Sequence, residues 1–178
     1  MMIPKSRPKQ TKEKSLSIIK KAGILDSVVL LGIRGYYSET FQPSGNQRGI
    51  YDDAIFLISP SAYVSFNANT DPSYHREGVA VLLPGLYRYK KGKHGISKGP
   101  GYPALRPATK DEALPVVRDG KGISTGYHIN IHRGSNTSTS SLGCQTIPPS
   151  QWSAFQSLVY EQMDRYSQTT IPYLLIEA

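Results

Sequence analysis

The amino-acid sequence predicts a mainly β domain with one or two helices, of the α+β class. Short segments of apolar or alternating residues recur along the chain, which is typical of strands. Turn residues separate them, since the chain contains 16 glycines and 13 prolines. One segment near the C-terminus has helical spacing instead. A length of 178 residues fits one folded domain, which we place at residues 26–178 after a basic arm and short helix at residues 1–25.

Strands are predicted in the first half of the chain from its apolar patterning. Residues 27–33 are an almost continuous apolar run with several β-branched side chains, as in a buried strand. Residues 62–67 alternate in the way that a half-buried strand does. The other predicted strands are residues 54–58, 78–83 and 86–89, and residues 42–49 are predicted as a long loop.

The second half of the chain contains the clearest strand and helix patterns. Residues 126–132 alternate, which puts His128, Asn130 and His132 on one face of a single strand. Residues 149–166 carry apolar side chains at helical spacing, and Ser150 is the predicted N-cap. The remaining predictions are a loop or irregular hairpin at residues 90–111, a strand at 114–118, a turn at 119–122 and a last strand at 173–176.

Positive charge is concentrated at the N-terminus. The chain has 21 lysines and arginines against 13 acids, a net charge of +8, and residues 1–21 contribute seven basic side chains and one acid, or +6. Pro4 and Pro8 predict an extended or mobile start, and Thr11 is the predicted N-cap of a short helix that Gly23 ends. The arm is predicted either to approach an anionic envelope or to be a solvated end of the chain.

A second basic cluster lies in residues 88–98, where lysines and Arg88 are interleaved with Tyr89 and His94. Basic residues mixed with aromatic ones can bind a single nucleic-acid strand. No nucleic-acid motif accompanies them, so we interpret the cluster as the polar face of a hairpin and predict no nucleic-acid partner.

Cys144 is the only cysteine, which excludes an intramolecular disulfide and zinc sites built from several cysteines. The longest apolar run, residues 28–33, is far shorter than the roughly 20 residues of a spanning helix, so no transmembrane segment is predicted. Asp26 interrupts the apolar stretch near the N-terminus, and no cleavage site of small residues follows it. We therefore expect a chain made in the cytoplasm without a signal peptide.

Residues 127–147 carry the only coherent chemical pattern. His132 ends a predicted strand, a loop rich in serine and threonine follows, and the loop closes on Ser141-Leu142-Gly143-Cys144. An imidazole can convert a nearby thiol into a nucleophile, so His132 is the predicted base and Cys144 the predicted nucleophile. Gly143 allows close backbone approach, and the N–H groups of Gly143 and Cys144 are predicted to form an oxyanion hole. A low thiol pKa and alkylation well below neutral pH are the corresponding expectations.

The same residues resemble the active-site signature of L,D-transpeptidase catalytic domains. His132-x-Gly134 and Ser141-x-Gly143-Cys144 match that pattern, and Leu83-Pro84-Gly85-Leu86-Tyr87 is similar to the Pro-x-Gly-x-Tyr turn that often precedes the active-site strands in that family. The resemblance covers roughly residues 83–147. It implies a β-sandwich or barrel, an acyl-enzyme formed by Cys144 with the peptide stems of peptidoglycan, and His132 as the base. An amine or water then accepts the acyl group.

The chain also departs from that family pattern. Leu142 stands where many members have a second histidine, and Gln145 and Thr146 follow the cysteine in place of an aliphatic residue and an arginine. These departures leave the acyl donor and acceptor open. Predicted substrate contacts in or near the motifs are Tyr87, Arg133, Gly134, Asn136 and His128, with Asn69 and Asp71 as further candidates.

The predicted setting is a bacteriophage endolysin that acts on the host cell wall after release, without a metal or other cofactor. The sequence leaves three alternatives. The first is a zinc site built from His128, His132 and Cys144, with Asp71 as a further ligand. The second is a non-catalytic virion or wall-binding protein on the same scaffold, and the third is a nucleic-acid-binding protein, which only the charge supports. No oligomeric state is predicted.

Overall fold

A computed structural model describes residues 3–41 and 45–178 and shows an α+β fold that is mostly β, as predicted. In this described part the chain forms two α-helices, eleven strands and two 3₁₀ turns, at Ile96–Lys98 and Lys110–Glu112. Residues 42–44 of the predicted long loop and residues 1–2 of the arm lie outside the described part. The helices and strands are α1 (Lys12–Lys21), β1 (Val29–Arg34), β2 (Asp53–Ile58), β3 (Tyr63–Ala68), β4 (Ala80–Leu82), β5 (Gly85–His94), β6 (Tyr102–Pro107), β7 (Ala113–Arg118), β8 (Gly122–Tyr127), β9 (Ile131–Arg133), β10 (Gln145–Ile147), α2 (Pro149–Arg165) and β11 (Thr170–Glu177).

Eight strands form one sheet in the order β10-β9-β6-β5-β11-β1-β2-β3, and β4, β7 and β8 form a second sheet in the order β4-β7-β8. Strands β1 and β11 are parallel, as are β9 and β10, and the other neighbours are antiparallel. The two outer strands of the large sheet meet where Asn69 and Thr146 exchange backbone hydrogen bonds of 2.9 and 2.8 Å. The large sheet is therefore a nearly closed barrel.

The apolar run of strand β1 is explained by burial of both of its faces. Leu30 belongs to the main core, which lies inside the barrel. Leu31 and Ile33 point to the opposite face, where helix α1 covers them with Ile19. A strand buried on both faces reads as a continuous apolar segment. Thr11 caps α1 by accepting from the backbone N–H of Lys14 at 3.2 Å, as predicted.

Helix α2 packs its apolar face against the strands next to the barrel seam. Trp152 and Phe155 belong to the main core, and the ring of Phe155 meets that of Phe66 on β3 edge-to-face at 5.2 Å. The predicted cap is wrong, because Pro148 occupies the N-cap position and Ser150 lies inside the helix. Proline fits this end, where the first backbone N–H groups have no intrahelical partner. Neither helix in the described residues is long and apolar enough to cross a membrane.

The single strand predicted at residues 126–132 is wrong. Strand β8 ends at Tyr127 in the small sheet, and β9 begins at Ile131 in the large one. Between them His128 adopts a left-handed conformation with φ of 56°, which redirects the chain. His128 and His132 therefore do not share the face of one strand.

Residues 90–111 are more regular than predicted. Strands β5 and β6 pair from Tyr89–Pro107 to His94–Tyr102, so they form a long antiparallel hairpin. Lys90 is exposed on this hairpin whereas Tyr89 is fully buried. Arg88 and Lys90 lie on one face of β5, Lys91 and Lys93 on the other, and Lys98 in the 3₁₀ turn. The second basic cluster therefore lies on the hairpin as predicted, but not on a single face.

The N-terminal arm lies against the domain from residue 3 onward. Tyr37 donates its hydroxyl to the carbonyl of Ser6 at 2.8 Å, and Ser65 on β3 donates to the carbonyl of Pro8 at 2.7 Å. Pro4 and Pro8 are buried. Residues 3–10 are therefore extended, as one of the two predicted conformations, and are held by hydrogen bonds to the domain.

Candidate active site

The parallel pairing of strands β9 and β10 brings the predicted nucleophile and base together. His132 pairs with Thr146, and the backbone N–H of Gln145 donates to the carbonyl of Asn130 at 2.9 Å. The loop of residues 134–144 thus leaves β9 and returns beside it. Cys144, the residue before β10, therefore lies beside the segment that precedes His132, and its Sγ is 3.5 Å from the carbonyl of His128.

Ser73 holds this loop from outside. Its backbone N–H donates to the carbonyl of Ser141 at 2.9 Å, and its hydroxyl accepts from the N–H of Ser141 at 2.8 Å. The same hydroxyl lies 2.6 Å from that of Thr139. The sequence analysis did not single out Ser73, because it is 68 positions away and belongs to no motif.

A tight turn presents Cys144. The hydroxyl of Ser141 accepts from the N–H of Gly143 at 3.0 Å and donates to the carbonyl of Cys144 at 2.7 Å. Gly143 has φ of 136°, and a Cβ there would lie 2.8 Å from the carbonyl oxygen of Ala80. Ser141 and Gly143 therefore position the thiol. Because the N–H of Gly143 is bonded to Ser141, it does not form the oxyanion hole predicted from it.

Gly134 is a packing position. A Cβ there would collide with the hydroxyl of Tyr51, which is fully buried, and would lie 3.1 Å from the carbonyl of Thr139. The N–H of Gly134 donates to the carbonyl of Ile147 at 2.9 Å. The match of this glycine to the family motif thus has a steric explanation in the structure.

His132 is buried and uncharged in the structure. Its Nδ1 lies 2.8 Å from the carbonyl of Arg133 and 3.1 Å from the hydroxyl of Tyr102. A carbonyl can only accept, so Nδ1 carries the proton and Nε2 is the basic nitrogen of the neutral ring. Burial, and to a lesser extent the neighbouring His94, lower the pKa of His132 to about 3.

His94 is the main site residue that the sequence analysis missed. Its ring stacks on that of His132 with centroids 3.7 Å apart and planes 11° apart. Its Nδ1 lies 3.0 Å from the amide Nδ2 of Asn130. Burial lowers the pKa of His94, and the charges of Arg106 and Lys98 lower it further. His94 lies at the end of β5, and only the β5–β6 hairpin register places it beside His132.

Cys144 is half-buried, with its Sγ 3.5 Å from the carbonyl of His128, to which the thiol donates. Burial raises the pKa of the thiol to about 11, although the N–H of Asn130 and the charge of Arg106 act in the opposite direction. At neutral pH the thiol is therefore protonated and His132 is neutral. The expectation of a low thiol pKa was wrong, because burial outweighs the neighbouring donors.

A cavity of about 700 Å³ joins these groups. His94, His132 and Cys144 line it together, and most of the other lining residues carry hydroxyl groups. Lys98 is the only lysine, arginine or carboxylate residue on its wall within the described residues. The wall thus carries a positively charged side chain among hydroxyl groups. The remaining lining residues are Gly49, Ser73, Tyr74, Thr137, Ser138, Ser140, Ser141 and Leu142.

Besides Gly134, four predicted substrate contacts lie off the cavity wall. Tyr87 belongs to the core and donates its hydroxyl to the carbonyl of Leu83 at 2.5 Å. Arg133 is exposed, with its guanidinium 5.0 Å from the ring centre of Tyr102. Asn136 is exposed on the loop. His128, the fourth, binds a carboxylate.

An ion-pair cluster engages that histidine. The Nδ1 of His128 lies 2.7 Å from the carboxylate of Glu112, and Arg106 binds the same carboxylate through two contacts of 2.7 and 2.6 Å. The pKa of Glu112 is lowered: burial alone would raise it, but the hydrogen bonds and charges of Arg106 and His128 together outweigh that effect. Arg106 is the positive charge that acts on Cys144 from this cluster.

The other two candidates, Asn69 and Asp71, are structural. Asn69 pairs with Thr146 at the barrel seam, and Asp71 forms a buried ion pair of 3.2 Å with Arg34. In residues 3–41 and 45–178, no three His, Cys, Asp or Glu side chains are grouped so that they could hold a metal ion. The proposed zinc ligands His128 and Asp71 are engaged with Glu112 and Arg34 instead.

Comparison with protein-family models, with curated proteins and with solved structures found no match to this chain.

Proposed function

We propose that the protein is a cysteine-dependent enzyme that acts on the peptides of peptidoglycan, with Cys144 as nucleophile and His132 as base. The observation that carries the proposal is that the thiol and a neutral imidazole line one cavity. The bond from His132 to the carbonyl of Arg133 leaves Nε2 as the nitrogen that accepts a proton. The resemblance to L,D-transpeptidase domains supplies the substrate class.

The reaction starts from a neutral thiol. The proton of Cys144 moves to Nε2 of His132 as the sulfur attacks a peptide carbonyl carbon. The C–N bond of the peptide then breaks, and the departing amine takes the proton from His132. The thioester on Cys144 is resolved by water or by a second amine, which gives hydrolysis or cross-linking and restores the thiol.

The lowered pKa of His132 and the raised pKa of the Cys144 thiol both oppose proton transfer between them at rest. A base with a pKa near 3 does not hold a proton at rest, so the proton moves only as the sulfur forms its bond to carbon. Charge separation then coincides with the approach of substrate, which displaces water from the half-buried thiol.

The experiment is digestion of purified peptidoglycan followed by mass spectrometry of the released muropeptides. We expect defined products from the native protein, none from Cys144→Ser, and unchanged products from Ser153→Ala, a matched control on the exposed surface of α2. Intact-mass detection of a stem peptide bound to Cys144 would identify the acyl-enzyme. Undiminished digestion by Cys144→Ser would show that the thiol is not the nucleophile.

A wall-binding protein without activity is the second candidate function. The raised pKa of the Cys144 thiol favours it, because a resting thiol is a weak nucleophile. Co-sedimentation with peptidoglycan in the absence of any product would support binding alone. The setting that we propose for either function is a bacteriophage protein that meets the host wall after release.

A further inference from the structure

The cavity contains two imidazoles that come from different parts of the fold. His94 ends strand β5, His132 lies in β9, and their rings are in face-to-face contact at 3.7 Å. Two positive rings at that distance would repel each other strongly. The stack is therefore compatible with two neutral rings or with one charged ring.

The hydrogen bonds assign a different proton position to each ring. The Nδ1 of His94 accepts from the amide of Asn130 at 3.0 Å, so the proton of this neutral ring is on Nε2. The Nδ1 of His132 donates to the carbonyl of Arg133 at 2.8 Å, so its Nε2 is free to accept. The cavity thus holds one imidazole that donates through Nε2 and one that accepts through Nε2.

Burial is the main cause of the lowered pKa of both rings, and the charges around the pair act in the same direction. Lys98 follows β5 and Arg106 lies on β6, and both disfavour a positive charge on His94. Tyr102 on β6 contacts His132, and Cys144 reaches the same cavity wall as a neutral thiol.

One of the two backbone donors predicted for the oxyanion is already engaged within the protein. The negative charge that develops on the carbonyl oxygen during attack is usually stabilised by hydrogen-bond donors held in place beforehand. The N–H of Gly143, which would be the nearest candidate by sequence, is bonded to the hydroxyl of Ser141 at 3.0 Å. The N–H of Cys144 is then the one predicted backbone donor left for the substrate oxygen, so a second donor has to come from elsewhere on the cavity wall.

We propose that His94 is a second catalytic residue, which donates its Nε2–H to the substrate carbonyl oxygen while His132 accepts the proton of the thiol. The inference rests on the function proposed above. His94 gives a hydrogen bond and keeps its proton throughout. During acylation one proton passes from Cys144 to His132 and then to the departing amine, and during resolution of the thioester one proton of the incoming water or amine passes through His132 to the sulfur. Leu142 stands where many L,D-transpeptidases have a histidine, and His94 supplies an imidazole from the other side of the site.

Three substitutions of His94 separate the donor from the stacked ring. His94→Phe keeps a flat ring and removes the donor, His94→Gln keeps an N–H donor without the ring, and His94→Ala removes both. We expect kcat on peptidoglycan fragments to fall roughly 100-fold in His94→Phe, as for loss of one oxyanion donor. His94→Gln should lose about tenfold or less, and KM should change little in either variant.

Alkylation of Cys144 by iodoacetamide tests whether His94 donates to the substrate oxygen or only positions the thiol. The reaction needs the thiol but creates no oxyanion, so its rate should stay within about threefold of the native rate in His94→Phe. Equal losses of turnover and alkylation would overturn the proposal and make His94 a positioning residue for the thiol. Native turnover in His94→Phe would overturn it as well.

Nitrogen NMR of the two histidines tests the proton positions without any substrate. We expect the neutral His94 to carry its proton on Nε2 and His132 on Nδ1 at pH 7. The carbonyl oxygen of the Asn130 side chain is buried without a hydrogen-bond partner in the described residues. If that amide were rotated by half a turn, this oxygen would face Nδ1 of His94, and the proton of His94 would then be on Nδ1. Observing that proton, or a charged His94, would overturn the proposal even if the enzyme acts on peptidoglycan. Absence of activity with the expected proton positions would instead refute the proposed function.

Discussion

The reactivity of Cys144 follows directly from its burial. Its pKa is raised from the reference value of 9.0 to about 11, a difference of two units. At pH 7 the thiolate fraction is therefore about 10⁻⁴, roughly 100-fold below that of an ordinary thiol with the reference pKa. Because Cys144 is the only cysteine, every alkylated molecule reports on this site.

The assay is the rate of carbamidomethylation by iodoacetamide between pH 6 and 10, followed by intact mass. We expect the rate to rise about tenfold with each pH unit over the whole range, without a plateau, since only the thiolate reacts. The same chain unfolded in urea is the control, and its rate should level off about two pH units earlier than that of the folded protein.

The dependence of the alkylation rate on pH distinguishes two resting states of the site: a neutral thiol beside a neutral His132, and a thiolate beside a positively charged His132. A plateau below pH 8 in the folded protein would indicate a thiolate held by a positively charged His132, and would refute the argument that burial dominates the thiol. The absolute rate also reflects access of the reagent to a half-buried sulfur, but access does not alter the pH at which the curve bends.

Three further predictions concern stability. Gly134→Ala should lower the free energy of unfolding by about 1–3 kcal/mol in urea titrations, because its Cβ meets Tyr51, and Tyr51→Phe in that background should recover part of the loss. Burial raises the pKa of Asp53 from 3.8 to about 8, so it contributes stability that is complete at low pH and is lost as the pH rises from about 4 to 8. Asp53→Asn should therefore flatten stability against pH, and an unchanged slope would contradict this sign. Removal of residues 1–10 should cost about 2–4 kcal/mol through lost hydrogen bonds, seen as a lower melting temperature, whereas a purely solvated arm would leave it unchanged.

Local pattern was sufficient to predict most of the strands and both helices. Apolar residues repeat with the period of the helix or strand whose buried face they form. Examples are the apolar run of β1, the alternation in β3 and the helical spacing in α2. Strands β6 and β10 were not predicted, and the single strand predicted at residues 126–132 was wrong. The alternation of apolar and polar residues continues through residues 126–132. His128 nevertheless adopts a left-handed conformation, which cannot be predicted from the residue type alone.

The site was only partly predictable for a similar reason. Cys144, His132 and the turn of Ser141 and Gly143 lie close together in the chain, so a short motif can contain them. His94 and Ser73 come from distant segments.

The sequence by itself determined an α+β fold, one thiol and a neighbouring histidine, because apolar period and local spacing encode these. Only the tertiary structure decided how the site is charged. Burial keeps the thiol of Cys144 protonated and His132 neutral, and barrel register stacks His94 on His132. These properties depend on desolvation and on contacts between segments far apart in the chain, which no local pattern contains.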